Sequence, residues 1–431
     1  MKLLVKIFST LFILLAVSCS KEAGHYSDFN ENIDLSDKPN YAISIENMNT
    51  YLSERSHSLK TRGAFYDIQP ITEKNDTVLY IVNYENGWEV FSADKRAPRI
   101  FAKADSGSIT REDFDAIPPL KFLYDAFVEN VCFLKANPHL KPHIDFIDCW
   151  DAIKANDQEQ SNKLPRTRSG ESEVVQNHLL QTKWGQDYPW NIRAPYTDIN
   201  LYTHCQTGSG PVALAQVLYY YYTYYFPYYL NMTYGIQYVP YLDSYNYAYI
   251  QSGSTYTYLL DSEVTFISSY DDPCLIWNSM PKNQYESGSF EAVATLMTDM
   301  GVATQSKYYA TETTTNPYNV FTVLLNKCNL TAYLVSVDFD ELSDMIIQDY
   351  NPAIMLLGYL DSNNWVYNQY VVADAMEELY TDSVLTSRYI GFNWGFDGQY
   401  DNLWLNTDAI NWSANHVYSG VNCMIYHATL E

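Results

Sequence analysis

The chain is short of basic residues: 26 Lys and Arg stand against 51 Asp and Glu, for a formal net charge of −25. Neutralising phosphates takes clustered Lys and Arg, so this balance argues against nucleic acid as a partner. Beyond the N-terminal segment, no apolar run is long enough to span a membrane. No two cysteines stand as CxxC, and Cys132, Cys149, Cys205, Cys274, Cys328 and Cys423 are scattered without the spacing of metal ligands. Neither a metal nor a cofactor is therefore expected. Disulfides are permitted in an exported chain but not specified here, and buried free thiols with one pair at most are the expectation. One further gap matters below: no histidine lies between His204 and His416.

What is present is a globular composition over 431 residues, 47% hydrophobic and 18% charged. That length allows two or three domains and a sizeable core. Tyrosine is abundant, at 41 residues, and packs its ring while its hydroxyl stays wet, which suits β-rich exported proteins.

The opening "MKLLVKIFSTLFILLAVSCSKE" is expected to be a targeting segment. Lys2 and Lys6 supply the positive start, and Leu11 to Val17 complete an apolar core too short to span as a mature helix. "LAVSC" resembles a bacterial lipobox, which makes Cys19 the lipidated residue after a signal peptide of residues 1–18. The expectation is a lipoprotein anchored outside the cytoplasm, at the outer membrane or cell surface, touching the membrane through that lipid alone.

Residues 19–40 are polar and read as a tether. "AISIENMNTYLS" has helical spacing, and "DTVLYIVNY", "GWEVFSAD" and "RIFAKAD" read as strands separated by turns such as Asn86-Gly87. A helix is expected near Leu120 to Leu134. Together these make an α+β domain over 41–145 of typical domain size. Residues 146–172 lack any apolar period and read as an exposed linker, with Lys163, Arg166 and Arg168 open to a trypsin-like protease. From 173 to 431 a helix opens a lobe that becomes strand-like in "PAIMLLGYL", "QYVVADAM", "SRYIGFNWGF" and "NLWLNTDAI", again an α+β layout.

The helix opener is "TGSGPVALAQVLYYYY", Thr207 to Tyr222. Pro211 suits the first turn of a helix, and the residue ahead of it meets the helix's positive end and free N–H groups. A cysteine there becomes a reactive thiolate; a serine needs an adjacent base. Taken alone, Ser209 is a good N-cap, worth about 1 kcal/mol.

With Ala215, Gln216 and Val217 fixing the register, this stretch resembles the nucleophile segment of the streptopain family of papain-like cysteine peptidases. The resemblance puts Ser209 where that family has its catalytic cysteine. "WGQDYPWN" (Trp184 to Asn191) is similar to the family's oxyanion segment and implies that role for Gln186. "FNWGFDG" is similar to the Asn-Trp-Gly segment, making Asn393 and Trp394 the residues that would position a catalytic histidine. In "NQYVVADAM", Asp374 takes the family's aspartate, so the base position five residues earlier is Gln369, and the following glycine is Ala375. "LYIVNYENGWEVFSADKR" resembles the family's inhibitory prodomain. The fold implied is α+β: a papain-like, two-lobed peptidase preceded by a small α+β prodomain.

Glutamine cannot act as a base near neutrality, and losing the base of a serine hydrolase costs on the order of 10⁶ in turnover. The leading expectation is thus a pseudopeptidase whose cleft binds polypeptide or a partner protein. One alternative is a working peptidase with a relocated group, Cys205 beside His204 being the candidates. Another is a protease inhibitor acting through the prodomain-like module.

Overall fold

A computed structural model describes residues 41–56, 63, 65–141, 171–195, 203–229, 249–252, 255–258, 277–309, 312–327, 331–361, 364–416 and 424–429. The expected signal peptide, the tether with Cys19, and the linker cleavage positions Lys163, Arg166 and Arg168 lie outside the described residues.

The N-terminal segment opens with helix α1 (Ile45–Ser56), followed by strands β1 (Phe65–Glu73), β2 (Asp76–Tyr84), β3 (Trp88–Ser92) and β4 (Ile100–Ala104). A short 3₁₀ turn and helix α2 (Pro118–Ala136) close it, with proline in the first turn of α2. Val78, Leu79, Tyr80, Ile81 and Val82 of β2 are all buried, as an unbroken apolar run predicts for a strand covered on both faces. Leu79 and Ile81 face a core shared with α2, while Tyr80 and Val82 face one shared with Met48 and Leu52 of α1. Strand β1 was not among the strands expected from the sequence; it contains Pro70, pairs only with β2 among the described residues, and proline is tolerated on such an edge. At the β3 entry Gly87 has φ +84°, and a Cβ there would collide with the Ala104 carbonyl.

The rest of the chain supplies β5 (Glu171–Gln176), α3 (Ser209–Tyr229), β6 (Tyr249–Ser252), β7 (Thr255–Tyr258), α4 (Phe290–Ala303), β8 (Lys307–Tyr309), β9 (Thr313–Thr314), α5 (Pro317–Lys327), β10 (Thr331–Ser336) and α6 (Phe339–Ile347). It ends with β11 (Ala353–Asp361), β12 (Asn364–Thr381), β13 (Val384–Asn393), β14 (Trp404–Asn406), α7 (Thr407–His416) and β15 (Met424–Thr429). An eleven-stranded sheet runs β1-β2-β3-β4-β14-β13-β12-β11-β15-β10, with β5 added to β12. A smaller sheet runs β7-β6-β8-β9.

Alternation along β11 and β12 divides the core. Ile354, Leu356, Tyr370 and Val372 face α3 and α4, whereas Met355, Leu357, Val371 and Ala373 face the core containing α2 and α6. Helix α3 is apolar on every side and buried from Val212 to Tyr221, as expected for a central helix. "NLWLNTDAI" departs from its strand-like reading: β14 stops at Asn406, whose side-chain oxygen accepts the Asp408 N–H at 2.8 Å and starts α7.

Candidate functional site

Gly208 has φ +90°, and a Cβ there would meet the Thr313 side chain at 2.8 Å. This glycine lets the chain turn sharply into α3, whose first residue is Ser209. The Ser209 hydroxyl oxygen accepts the backbone N–H of Tyr370 at 3.2 Å. The nucleophile position therefore lies against β12 beside Gln369, which is half-buried, and whose side-chain oxygen is buried without a hydrogen-bond partner among the described residues. Gln186 joins them through its backbone: its carbonyl accepts the Thr207 N–H at 2.9 Å, and its side chain is buried. Ser209 and Gln369 thus meet at the start of α3, and the Gln186 backbone is fastened to Thr207, two residues before Ser209.

Asn393 and Trp394 serve other contacts. The Asn393 amide accepts from Gln216 Nε2 at 3.0 Å and from the Gly395 N–H at 3.1 Å, and it donates to the Thr182 carbonyl at 2.6 Å. Thr182 Oγ1 in turn donates to Gln216 Oε1 at 2.9 Å. This closed network ties α3 to the end of β13 and to the segment before Trp184, with no hydrogen bond to Gln369. Trp394 is fully buried in the core, its indole N–H donating to the Tyr400 carbonyl at 3.1 Å.

The start of α3 is roofed. Ser209 is only 5% exposed. A Cβ at Gly210 would meet Thr315 at 2.9 Å, Thr313 Oγ1 donates to the Gln206 carbonyl at 2.6 Å, and the Tyr370 hydroxyl donates to the Thr315 carbonyl at 2.9 Å. Residues 313–315 were invisible as part of the site in the sequence; the small residues at 208 and 210 were the one available hint. A cavity of about 260 Å³ opens elsewhere on α3, lined by Thr182, Gln216, Tyr219, Tyr220, Tyr224 and Lys282 among others, and neither Ser209 nor Gln369 borders it.

A second polar cluster lies further along β12. His178 Nδ1 is 2.8 Å from Asp374 Oδ1, and Asp374 Oδ2 accepts the Leu180 N–H at 2.9 Å. Burial pulls the His178 pKa down, but the Asp374 carboxylate more than offsets it and holds the imidazole at about 9. Burial pushes the neighbouring Asp401 up to about 7. Sequence reasoning missed His178, because it stands upstream of α3, on the other side from the base position. It does not serve Ser209: Asp374 is four residues beyond Tyr370, roughly 13 Å along the strand.

Cys205 and His204 do not form a reactive pair. Cys205 is fully buried and its thiol is pushed up to about 12 by that burial, while His204 Nδ1 is bonded to the Ala194 carbonyl.

The family model described as Peptidase C10 family matches residues 184–404. Among solved structures the chain is similar to a fragment of prointerpain A from Prevotella intermedia bearing a cysteine-to-alanine substitution, with 20% identity, 85% of this chain and 99% of that one covered, and a TM-score of 0.51. It is also similar to active wild-type interpain A cysteine protease from Prevotella intermedia, at 19% identity over 62% of this chain and 100% of that one, with a TM-score of 0.41. No curated protein matches.

Proposed function

Since the chain belongs to the Peptidase C10 family, the streptopain family, with the α+β fold of a papain-like peptidase zymogen, we propose that it is a catalytically silent member, a lipoprotein anchored through Cys19 outside the cytoplasm that uses the scaffold to bind polypeptide or a partner protein. The observation that carries this reading is the state of Ser209. Its hydroxyl accepts a backbone N–H from β12, is nearly closed to solvent, and has glutamine at the base position. A serine hydroxyl needs a neighbouring base to attack a carbonyl, and neither His178 nor His204 is placed to be one. The helix N-terminus and the Gln186 segment persist, but electrostatic stabilisation without nucleophile and base leaves only about 10³–10⁴ over water.

The relocated-group alternative is weakened by the Cys205 thiol. Held near 12, it is protonated at neutral pH, and only the thiolate is a nucleophile.

Purified residues 20–431 should leave casein uncleaved, and thiol-directed peptidase inhibitors should not label the start of α3. Titratable proteolysis abolished by Ser209→Ala would overturn the reading; proteolysis abolished by Cys205→Ala would favour the alternative. Saturable binding of labelled unfolded casein in fluorescence anisotropy is expected, and its absence would remove the polypeptide-binding part.

A further inference from the structure

We infer that residues 41–141 are a permanent part of the folded body, so that a cut in the segment 142–170 yields a stable two-chain complex and not a released module. The inference concerns the surface joining the N-terminal segment to the rest, and it does not depend on whether Ser209 is silent.

Four observations place that surface in the interior of the protein. Strand β4 is hydrogen-bonded to β14, with Ala102 opposite Leu405 and Lys103 opposite Trp404, so the two segments share one sheet. Two cores cross the junction. On one face Phe101, Phe114 and Phe127 pack with Trp394, Leu405 and Ile410. On the other, Met48, Leu52 and Phe91 pack with Ala375, Tyr389 and Trp404. Lys103 sits in a strand buried along its whole length and is paired with Glu377 of β12, with both side chains under 9% exposed. Its ammonium also lies 4.0 Å over the Tyr389 ring. At the rim, the Tyr400 hydroxyl donates to Asp113 at 3.0 Å.

Separation would open the β14 edge and expose two apolar faces. Open apolar edges are what folded proteins cover, and a buried charge tolerates burial only while paired. The same surface would have to be free for the N-terminal segment to act on another protein through it; here it is already occupied.

The test is a recognition sequence for a specific protease inserted between Lys163 and Arg168 of the otherwise intact chain. After complete cutting, shown on a denaturing gel, both pieces should co-elute in native buffer at the position of the uncut chain. A labelled N-terminal piece added afterwards should not exchange in. Separate elution of the pieces, or ready exchange, would overturn the inference. Lys103→Ala in the cut protein should weaken association at least about tenfold, since truncating one partner of a buried charge pair strands the other. Unchanged association would refute the role given to the pair. Should that variant fail to fold, Tyr400→Phe removes one rim hydrogen bond and should weaken association roughly threefold; no change there would count against the surface as described.

Discussion

Two of the polar clusters on β12, one at Gln369–Tyr370 and one at Asp374, have opposite characters. The first faces the N-terminus of α3, where the family resemblance places a nucleophile, yet among the described residues no imidazole or thiol is bonded there. The second holds a histidine–carboxylate pair with a raised pKa, but among the described residues its hydrogen bonds run to the 178–180 segment and to no helix N-terminus or hydroxyl. A titratable pair becomes catalytic only where a nucleophile and an oxyanion site lie within reach. The first cluster keeps that geometry without the chemical groups, and the second has the chemical groups without that geometry. Its role is then structural: Asp374 fastens the 178–180 segment to the sheet through two side-chain hydrogen bonds and a third from the Leu179 N–H to its backbone carbonyl.

If that contrast is right, the second cluster should dominate stability. Asp374→Ala leaves His178 and the Leu180 N–H without an acceptor, and should cost about 3–5 kcal/mol in denaturant unfolding, as for other broken buried pairs. A cost no larger than that of Ser209→Ala would erase the distinction.

The next largest effect is on pH. The His178 pKa in the folded protein is about 9, above the 6.5 of an unconstrained imidazole. Its contribution is complete below about pH 6.5 and lost as pH rises through 9. Asp401, raised from 3.8 to about 7, lowers stability as pH rises from 3.8 to about 7, and so acts mostly below the His178 window. Melting temperature should therefore fall between pH 6.5 and 9, and His178→Asn should flatten that limb, removing up to about 3 kcal/mol of pH-dependent stability. An unflattened limb would mean that the imidazole does not carry the charge.

Ser209→Ala is expected to cost less, about 1–2 kcal/mol, for leaving the buried Tyr370 N–H without its acceptor. Urea unfolding at neutral pH measures it. The smallest effect is predicted for Ser209→Cys combined with Gln369→His: full folding and no measurable peptide cleavage, because the position stays nearly closed to solvent, with Thr313 and Thr315 packed against the flanking glycines as a cover. Cleavage by the double variant alone would show that the cover opens and that only the chemical groups were missing.

The helix opening at Ser209 was legible beforehand, because Gly208 to Pro211 carry turn and helix-start signals that act within a few residues. The places of Gln186 and Gln369 were implied only by the resemblance to the streptopain family. The His178–Asp374 pair was not legible, since its members stand 196 positions apart and neither has a local pattern. The placement of Asn393 on Gln216 was equally hidden: its order in the chain fitted the family pattern, but the side chain's partners are set by how α3 packs on β13. Strand β1 carries Pro70, a breaker everywhere except on an edge, and a sequence does not say which strands are edges.

The sequence by itself determined the α+β class, the strands of continuous apolar residues and the helix opening at Ser209, whereas the base position at Gln369 was implied only by the resemblance to the streptopain family. The first three follow from periodicity and from backbone limits on glycine and proline. Tertiary structure alone decided that Thr313 and Thr315 pack against the glycines flanking Ser209, that Asp374 raises the His178 pKa, that burial raises the Cys205 thiol, and that β4 joins β14 in one sheet. Each depends on burial or on contacts between distant residues, and desolvation and pairing exist only once the chain has brought those residues together.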